Sequence, residues 1–145
     1  MTTTIRAART YDAPAIAELG GQLGYAANRQ QIATRLAGIE SERSSRVLVA
    51  EDATGSVIGW LHVASRTQLT EDACAEILGL VVDESARGAG IGAALIRAAE
   101  AWARAEGCTR MRVRSRETRE RAHRFYEREG YERNKVQLVL HKALD

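Results

Sequence analysis

The segment that most restricts this chain runs from an apolar strand through a glycine-rich turn straight into a strong helix. Leu78-Gly79-Leu80-Val81-Val82 leads through Asp83-Glu84-Ser85-Ala86 into Arg87-Gly88-Ala89-Gly90-Ile91-Gly92. Ile91, Leu95, Ala99 and Trp102 then recur at helical intervals, Glu100 and Arg104 form an i,i+4 pair, and Gly107 stops the run. Thr109 to Ser115 alternates polar and apolar as a strand. Strand, helix and returning strand make a crossover that must be parallel and right-handed. The chain therefore needs a mixed sheet with helices on its faces.

The other elements fill in that sheet. Thr4 to Ala8 reads as a short strand, followed by a helix that Asp12 caps, with Pro14 in its first turn and Ile16, Leu19 and Leu23 on one side. A second helix opens at Asn28, with Gln31 in a capping-box relation, and carries Ile32, Leu36 and Ile39. Strands at Arg46 to Glu51 and Val57 to Ala64 flank the turn Asp52-Ala53-Thr54-Gly55 as a hairpin. A polar loop, Ser65 to Asp72, precedes a long strand from Ala73 to Val82. Thr118 to Glu129 is helical with Gly130 at its end, and Val136 to Leu140 closes the chain as a strand. The order β-α-α-β-β-β-α-β-α-β gives an α+β, or mixed α/β, class.

Composition narrows the possibilities further. At 145 residues, 45% hydrophobic and 28% charged, the chain suits one folded domain with one core. No run reaches the roughly 18 apolar residues of a membrane span, and the start lacks the pattern of a signal peptide, so a cytoplasmic protein is expected, with no membrane partner. Cys74 and Cys108 have neither CxxC spacing nor paired histidines nearby, so no metal site is expected. A net charge of +2 is too small to announce nucleic-acid binding. Nine arginines do crowd between Arg110 and Arg133, where Glu117, Glu120, Glu127, Glu129 and Glu132 stand ready to pair with them. No nucleic-acid partner is expected.

The glycine-rich turn is an anion site in the making. The first turn of a helix carries unpaired N–H groups and a partial positive charge, and glycines let a phosphate approach the main chain. Arg87 adds a planar donor. A Walker-type site is excluded because no Gly-Lys-Ser/Thr follows. Gly88-Ala89-Gly90-Ile91-Gly92-Ala93 fits the dinucleotide pattern G-x-G-x-x-A. There, however, the first glycine follows its strand almost at once, and the chain left after Gly92 is too short for a whole dinucleotide-binding sheet.

Together with its flanks, this turn resembles the GNAT superfamily of acetyl-CoA-dependent N-acetyltransferases. Arg87, Gly90 and Gly92 meet the family's [Gln/Arg]-x-x-Gly-x-[Gly/Ala] signature, and Leu78 to Val82 looks like its fourth strand. Ala122-His123-Arg124-Phe125-Tyr126-Glu127-Arg128-Glu129-Gly130-Tyr131 resembles its Ala-x-x-Phe-Tyr-x-x-x-Gly-Phe/Tyr motif. The resemblance implies a single domain over residues 1–145 with a mixed, mostly antiparallel sheet of six to seven strands. About four helices should flank that sheet, and strands four and five should be parallel and splayed. It implies acetyl-CoA as donor, held along Leu80, Val81 and Val82, with main-chain groups of Leu80 and Val82 pairing with the pantetheine arm. The pyrophosphate would meet Arg87 and the amides of Gly88, Ala89, Gly90, Ile91, Gly92 and Ala93, with Phe125 also lining the cofactor. Gly79 is a plausible place for a bulge that starts the splay. Arg119 stands where many members place a cofactor-contacting Asn, so that contact is not carried over. A homodimer is a family-level expectation.

Simple acid–base arithmetic says what such a site must supply. An alkyl ammonium of pKa ~10.4 is about one part in ~2,500 neutral at pH 7, which costs roughly 4–5 kcal/mol, whereas protonating a thiolate of pKa ~8.5 gains only about 2 kcal/mol. A base matters more than an acid. Glu76, eleven residues before Arg87, stands where acidic bases of some GNAT enzymes stand and is the candidate, acting through water, the alternative being a carboxylate at the rim that only binds a cationic substrate. Its parity along an unbroken strand matches Leu80 and Val82, a match that a bulge would reset. Tyr126 stands where the family places the tyrosine that meets the CoA sulfur, and the N–H of Val82 is the candidate to polarise the thioester carbonyl. The acceptor would be a primary amine of a small molecule or peptide, met by the first two helices and the 65–72 loop. A catalytically weak CoA-binding regulatory module is the rival.

Overall fold

The computed structural model describes residues 2–145. The chain divides into two compact units, Met1–Val113 and Arg114–Asp145. The first unit holds β1 (Thr4–Ala7), α1 (Ala13–Gln22), α2 (Arg29–Glu40), β2 (Ser45–Glu51), β3 (Val57–Gln68), β4 (Glu71–Val82), α3 (Ile91–Ala105) and β5 (Arg110–Val113). The second holds α4 (Glu120–Arg128). This is a mixed α+β fold with four helices.

The sheet runs β1-β2-β3-β4-β5, antiparallel throughout except for the parallel β4/β5 pair that the α3 crossover requires. Val47, Val49 and Trp60 face α1 and α2, where Ala13, Ile16 and Leu36 close over them. The neighbouring Gly59 faces the opposite way, against Ile91 and Leu95 of α3. Leu61, Leu95 and Ile96 are among the largest side chains fully removed from water, which places the deepest packing between α3 and the middle strands.

Several local expectations hold for the expected reason. Asn28 and Gln31 exchange hydrogen bonds, each side chain with the other's main-chain N–H, at 2.8 and 2.9 Å, so the capping box starts α2. Asp52 accepts from the N–H groups of Thr54 and Ser56 and tightens the β2–β3 turn. Asp12 stands at the N-cap of α1 but does not cap it. Its carboxylate instead takes both Nη groups of Arg6, at 2.8 and 2.9 Å, and the N–H of Arg9.

Two further expectations are corrected. The sheet has five strands, not six to seven, because Val136–Leu140 forms none. Its alternation suits a strand, but a strand exists only by pairing, and these side chains stand in solvent. The polar loop placed at Ser65–Asp72 is mostly ladder. β3 runs on to Gln68 and β4 starts at Glu71, so only Leu69 and Thr70 turn the hairpin. Cross-strand pairing overrode the polarity of these residues.

Candidate active site

β4 and the turn after it form the centre of the candidate site. Facing β3, the register of β4 shifts between His62 and Val63, whose partners are Gly79 and Ile77, so Leu78 has no opposite residue. This is a bulge, one residue before Gly79. A Cβ on Gly79 would stand 2.9 Å from Cζ3 of Trp60, so only glycine fits under that indole. The bulge also resets parity. Glu76 pairs with Ala64 and Gly79 with His62, so Glu76 shares a face with Gly79 and Val81 and not with Leu80 and Val82.

Facing β5, the ladder covers only Cys74 to Ile77. From Leu78 to Val82 that edge of β4 has no strand partner among the described residues. Asp83 N–H donates to Ile58 C=O at 2.8 Å, and main-chain groups alternate sides along a strand. The N–H and C=O of Val82 and of Leu80 therefore point away from β3, along the open edge. Arg87 Nε uses one of these groups, donating to Val82 C=O at 3.3 Å. Its guanidinium thus folds back along the edge.

The glycine-rich turn follows this edge after a short turn at Glu84–Ala86. Gly88 and Gly90 have φ of 86° and 79°, in the left-handed region, and Gly90 is the N-cap of α3. The first bond of α3 runs from Ala94 N–H to Gly90 C=O, so the amides of Ile91, Gly92 and Ala93 have no acceptor within the helix. A Cβ on Gly88 or Gly90 would meet nothing within 4 Å, so the concave side of the turn is open. Three converging amides at a helix N-terminus beside open space are a cradle for an anion.

Sequence reading missed the clamp on this turn. Gln22, the last residue of α1, donates through Nε2 to Asp83 Oδ1 at 3.3 Å and accepts from Glu84 N–H at 3.2 Å. Together with the Ser85 N–H, that donation holds the Asp83 carboxyl below its ordinary pKa. No local pattern marks a glutamine whose partners lie some sixty residues away.

Glu76 is 4% exposed and ion-paired. Arg112 Nε donates to its Oε1 at 3.0 Å, and Arg66 lies at 3.9 Å from Oε2. Arg112 Nη1 also reaches Glu71 at 2.8 Å, and Arg110 pairs with Glu71 as well. These hydrogen bonds, that from Arg112 foremost, pull the Glu71 carboxyl below its usual range. The first two arginines of the 110–133 cluster are thus taken by β4, while Arg133 reaches the local Glu127 at 3.5 Å.

On the same face, Ser45 Oγ and His62 Nε2 are 2.9 Å apart. Burial pushes the His62 pKa down, against the pull of Glu42, which favours the neutral ring at pH 7. A cavity of about 560 Å³ lies by the ends of β1 and α2 and the start of β2, lined among others by Arg9, Leu36, Arg43 and Ser45. Glu76 and the glycine turn do not line it. An extended ligand lying along a strand edge needs a track rather than a closed cavity.

In the second unit, Phe125 and Tyr126 stand on α4 with ring centroids 5.1 Å apart, edge to face, and Tyr126 meets Tyr131 in the same way at 5.8 Å. Burial raises the Tyr126 pKa to about 12, with Arg119 pulling weakly the other way. The phenol is therefore a hydrogen-bond donor at pH 7, not an anion. Among the described residues, no group of three or more His, Cys, Asp or Glu could hold a metal, and no helix is long and apolar enough to cross a membrane.

Comparison with known proteins agrees with this geometry. Residues 14–131 match the model of the acetyltransferase (GNAT) family. An aminoglycoside N(6')-acetyltransferase type 1 from Klebsiella aerogenes is 35% identical over 85 residues, spanning 57% of this chain and 55% of that protein. The fold is shared with AAC(6')-Iy, solved with the bisubstrate analogue CoA-S-monomethyl-acetylneamine, at TM-score 0.88 and 18% identity over 99% of this chain and all of the other. It is also shared with glucosamine-6-phosphate N-acetyltransferase from Arabidopsis thaliana, at TM-score 0.85 and 21% identity over 97% and 99% of the two chains. An open strand edge that runs into a left-handed glycine turn, matched across both units by one family model, shows that this chain belongs to the GNAT family of acetyltransferases.

Proposed function

We propose that this chain is an acetyl-CoA-dependent N-acetyltransferase that passes the acetyl group directly to a primary amine of a small molecule or peptide. One observation carries the donor half: the outward main-chain groups of Leu80 and Val82 are followed, after the turn at Glu84–Ala86, by the free amides of Ile91, Gly92 and Ala93. The first pair suits the amide-bearing arm of CoA, and the second suits its pyrophosphate, with Gly88, Ala89 and Gly90 shaping the approach. Val81 and Phe125 complete the cofactor contacts in this reading. Arg87 steadies the turn through Val82 and keeps its Nη groups for phosphate.

The chemistry then falls to few groups. The amine nitrogen attacks the thioester carbonyl, the C–N bond forms, and the C–S pair leaves on sulfur. Glu76 accepts the ammonium proton through water, with Arg112 and Arg66 fixing the carboxylate, and the second proton, lost from nitrogen in the tetrahedral intermediate, passes through solvent to the departing sulfur, so that the amide and free CoA thiol leave. Val82 N–H polarises the carbonyl. Tyr126 O–H steadies the departing thiolate by a hydrogen bond, since a phenol near pKa 12 is a weaker acid than a thiol near ~8.5.

The similar proteins are named for N-acetylation of aminoglycosides and of glucosamine 6-phosphate, which supports a small-molecule amine as acceptor. We read residues 1–145 as one domain, of which the family model matches 14–131. Cys74 and Cys108 are free thiols, as a reducing cytoplasm would keep them. A homodimer is part of the proposal. The test is thiol release from acetyl-CoA against aminoglycosides, glucosamine 6-phosphate, simple amines and peptides. Release with at least one class is expected. Tight acetyl-CoA binding with no release from any of them would point to a CoA-binding regulatory module instead.

A further inference from the structure

The register gathers a group of charged side chains on one face of the sheet, around the candidate base. Ala64 and Arg66 of β3 pair with Glu76 and Cys74 of β4, and Glu76 and Cys74 pair in turn with Arg112 and Arg110 of β5. Residues at alternate positions of a strand share a face. Glu71 joins them, since it accepts hydrogen bonds from Arg110 and from Arg112. Three guanidiniums thus stand around two carboxylates, an excess of one positive charge.

Their depths differ, and depth decides what a ligand meets. The side chains of Glu76 and Glu71 are 6% and 25% exposed, against 47% for Arg66 and 56% for Arg110. The carboxylates are recessed and held, while the guanidiniums of Arg66 and Arg110 reach solvent. Arg66 stands 3.9 Å from Glu76 Oε2, beyond hydrogen-bond range, so its planar fork is not committed to that carboxylate. Charge at the surface acts on an approaching ligand before charge below it. This face repels a polycation and attracts an amine that also carries an anion.

We propose that the acceptor is a primary amine bearing a phosphate or carboxylate, its amine directed toward Glu76 and its anion held by Arg66 and Arg110. A guanidinium offers paired N–H donors that match either oxyanion. Arg66 and Arg110 flank Cys74 on its two sides, two residues before Glu76 along β4. At ~3.3 Å per residue of strand, the anion lies roughly 6–8 Å from the reacting nitrogen. The proposal rests on acetyl transfer with Glu76 as base, and it names the acceptor class for that reaction.

Thiol release from acetyl-CoA with matched amines tests it. Glucosamine 6-phosphate against glucosamine is the phosphate arm, and 6-aminohexanoate against hexylamine is the carboxylate arm. In at least one arm the anionic member should win in kcat/KM by about 10- to 100-fold, the margin of a charge-assisted hydrogen bond. Added salt should erode that margin. β-Alanine, too short to span the gap, should gain nothing over propylamine. Arg110→Gln should cut the winning ratio by about 10-fold, with the uncharged amine turned over as before. Arg66→Gln should cut it too, and there the ratio is read rather than the rate, because Arg66 lies beside the base.

A preference for the polycation kanamycin or for the uncharged amines overturns the acceptor class and keeps the transferase. So does a ratio that Arg110→Gln leaves alone. If no amine releases thiol, acetyl transfer itself fails, and calorimetry of glucose 6-phosphate against glucose, with CoA present, still decides the anion site. Tighter binding of the phosphate that Arg110→Gln weakens supports the site, and equal binding of the two sugars overturns it.

Discussion

Arg112 Nε donates to Glu76 Oε1 at 3.0 Å across the parallel β4/β5 pair, and the two residues are direct partners in the ladder. The carboxylate chosen from sequence as the base is therefore anchored and nine-tenths buried, not a mobile group at the rim. Glu76→Gln should lower kcat by about 10²–10⁴-fold, with acetyl-CoA KM little changed. An unchanged kcat would leave Glu76 as a structural ion pair. Arg112→Ala should cost about 3–5 kcal/mol of stability, because it strips a buried carboxylate of its main partner, and urea denaturation measures that loss.

Tyr126→Phe removes one hydroxyl and keeps the ring contacts with Phe125 and Tyr131. Transfer should slow by about 10- to 100-fold through loss of a thiolate-directed hydrogen bond, with acetyl-CoA affinity nearly unchanged. The Tyr126 pKa near 12 further requires that any alkaline limb between pH 7 and 10 belong to another group and survive in the variant. A variant that binds acetyl-CoA much more weakly but turns over normally would assign Tyr126 to packing.

Gly90 separates conformation from contact. Its φ of 79° makes Gly90→Ala cost about 1–2 kcal/mol of stability, yet the new Cβ would meet no protein atom within 4 Å. Any further loss must come from what fills the open space. Acetyl-CoA KM should rise by about 10-fold, or roughly 1.4 kcal/mol. A KM that does not move would take the pyrophosphate away from this turn.

Gly79→Ala sets a methyl against Trp60 and should destabilise by about 1–3 kcal/mol, lowering Tm by several degrees. Trp60→Phe in that background removes the clashing part of the indole and should restore part of the loss in a thermal melt. No recovery would mean that the bulge itself, rather than the clash, resists the methyl.

Acid should destabilise this fold in two steps. Burial lowers the His62 pKa below 6.5, so its contribution is complete above 6.5 and is lost as pH falls through the folded value. Burial works against the Asp12 charge too, but the hydrogen bonds from Arg6 and from Arg9 N–H outweigh it and lower its pKa below 3.8. That contribution is present above 3.8 and disappears below. His62→Gln should flatten the first step and Asp12→Asn the second, as read from urea midpoints between pH 3 and 8.

Much of this site was legible because its signals are local. A glycine that must adopt positive φ, a helix that starts at Ile91, and an alternating strand each follow from a few consecutive residues. Chain order alone made the last crossover parallel. What depended on distant partners was not legible. The bulge at Leu78 is a property of how β3 and β4 pair, and it turned Glu76 away from the face of Leu80 and Val82. Gln22 became a clamp, and Arg112 a carboxylate anchor, only once the sheet and α1 brought residues far apart in the chain into contact. Val136–Leu140 has every local mark of a strand and forms none, because strand structure is made by a partner's hydrogen bonds and not by propensity.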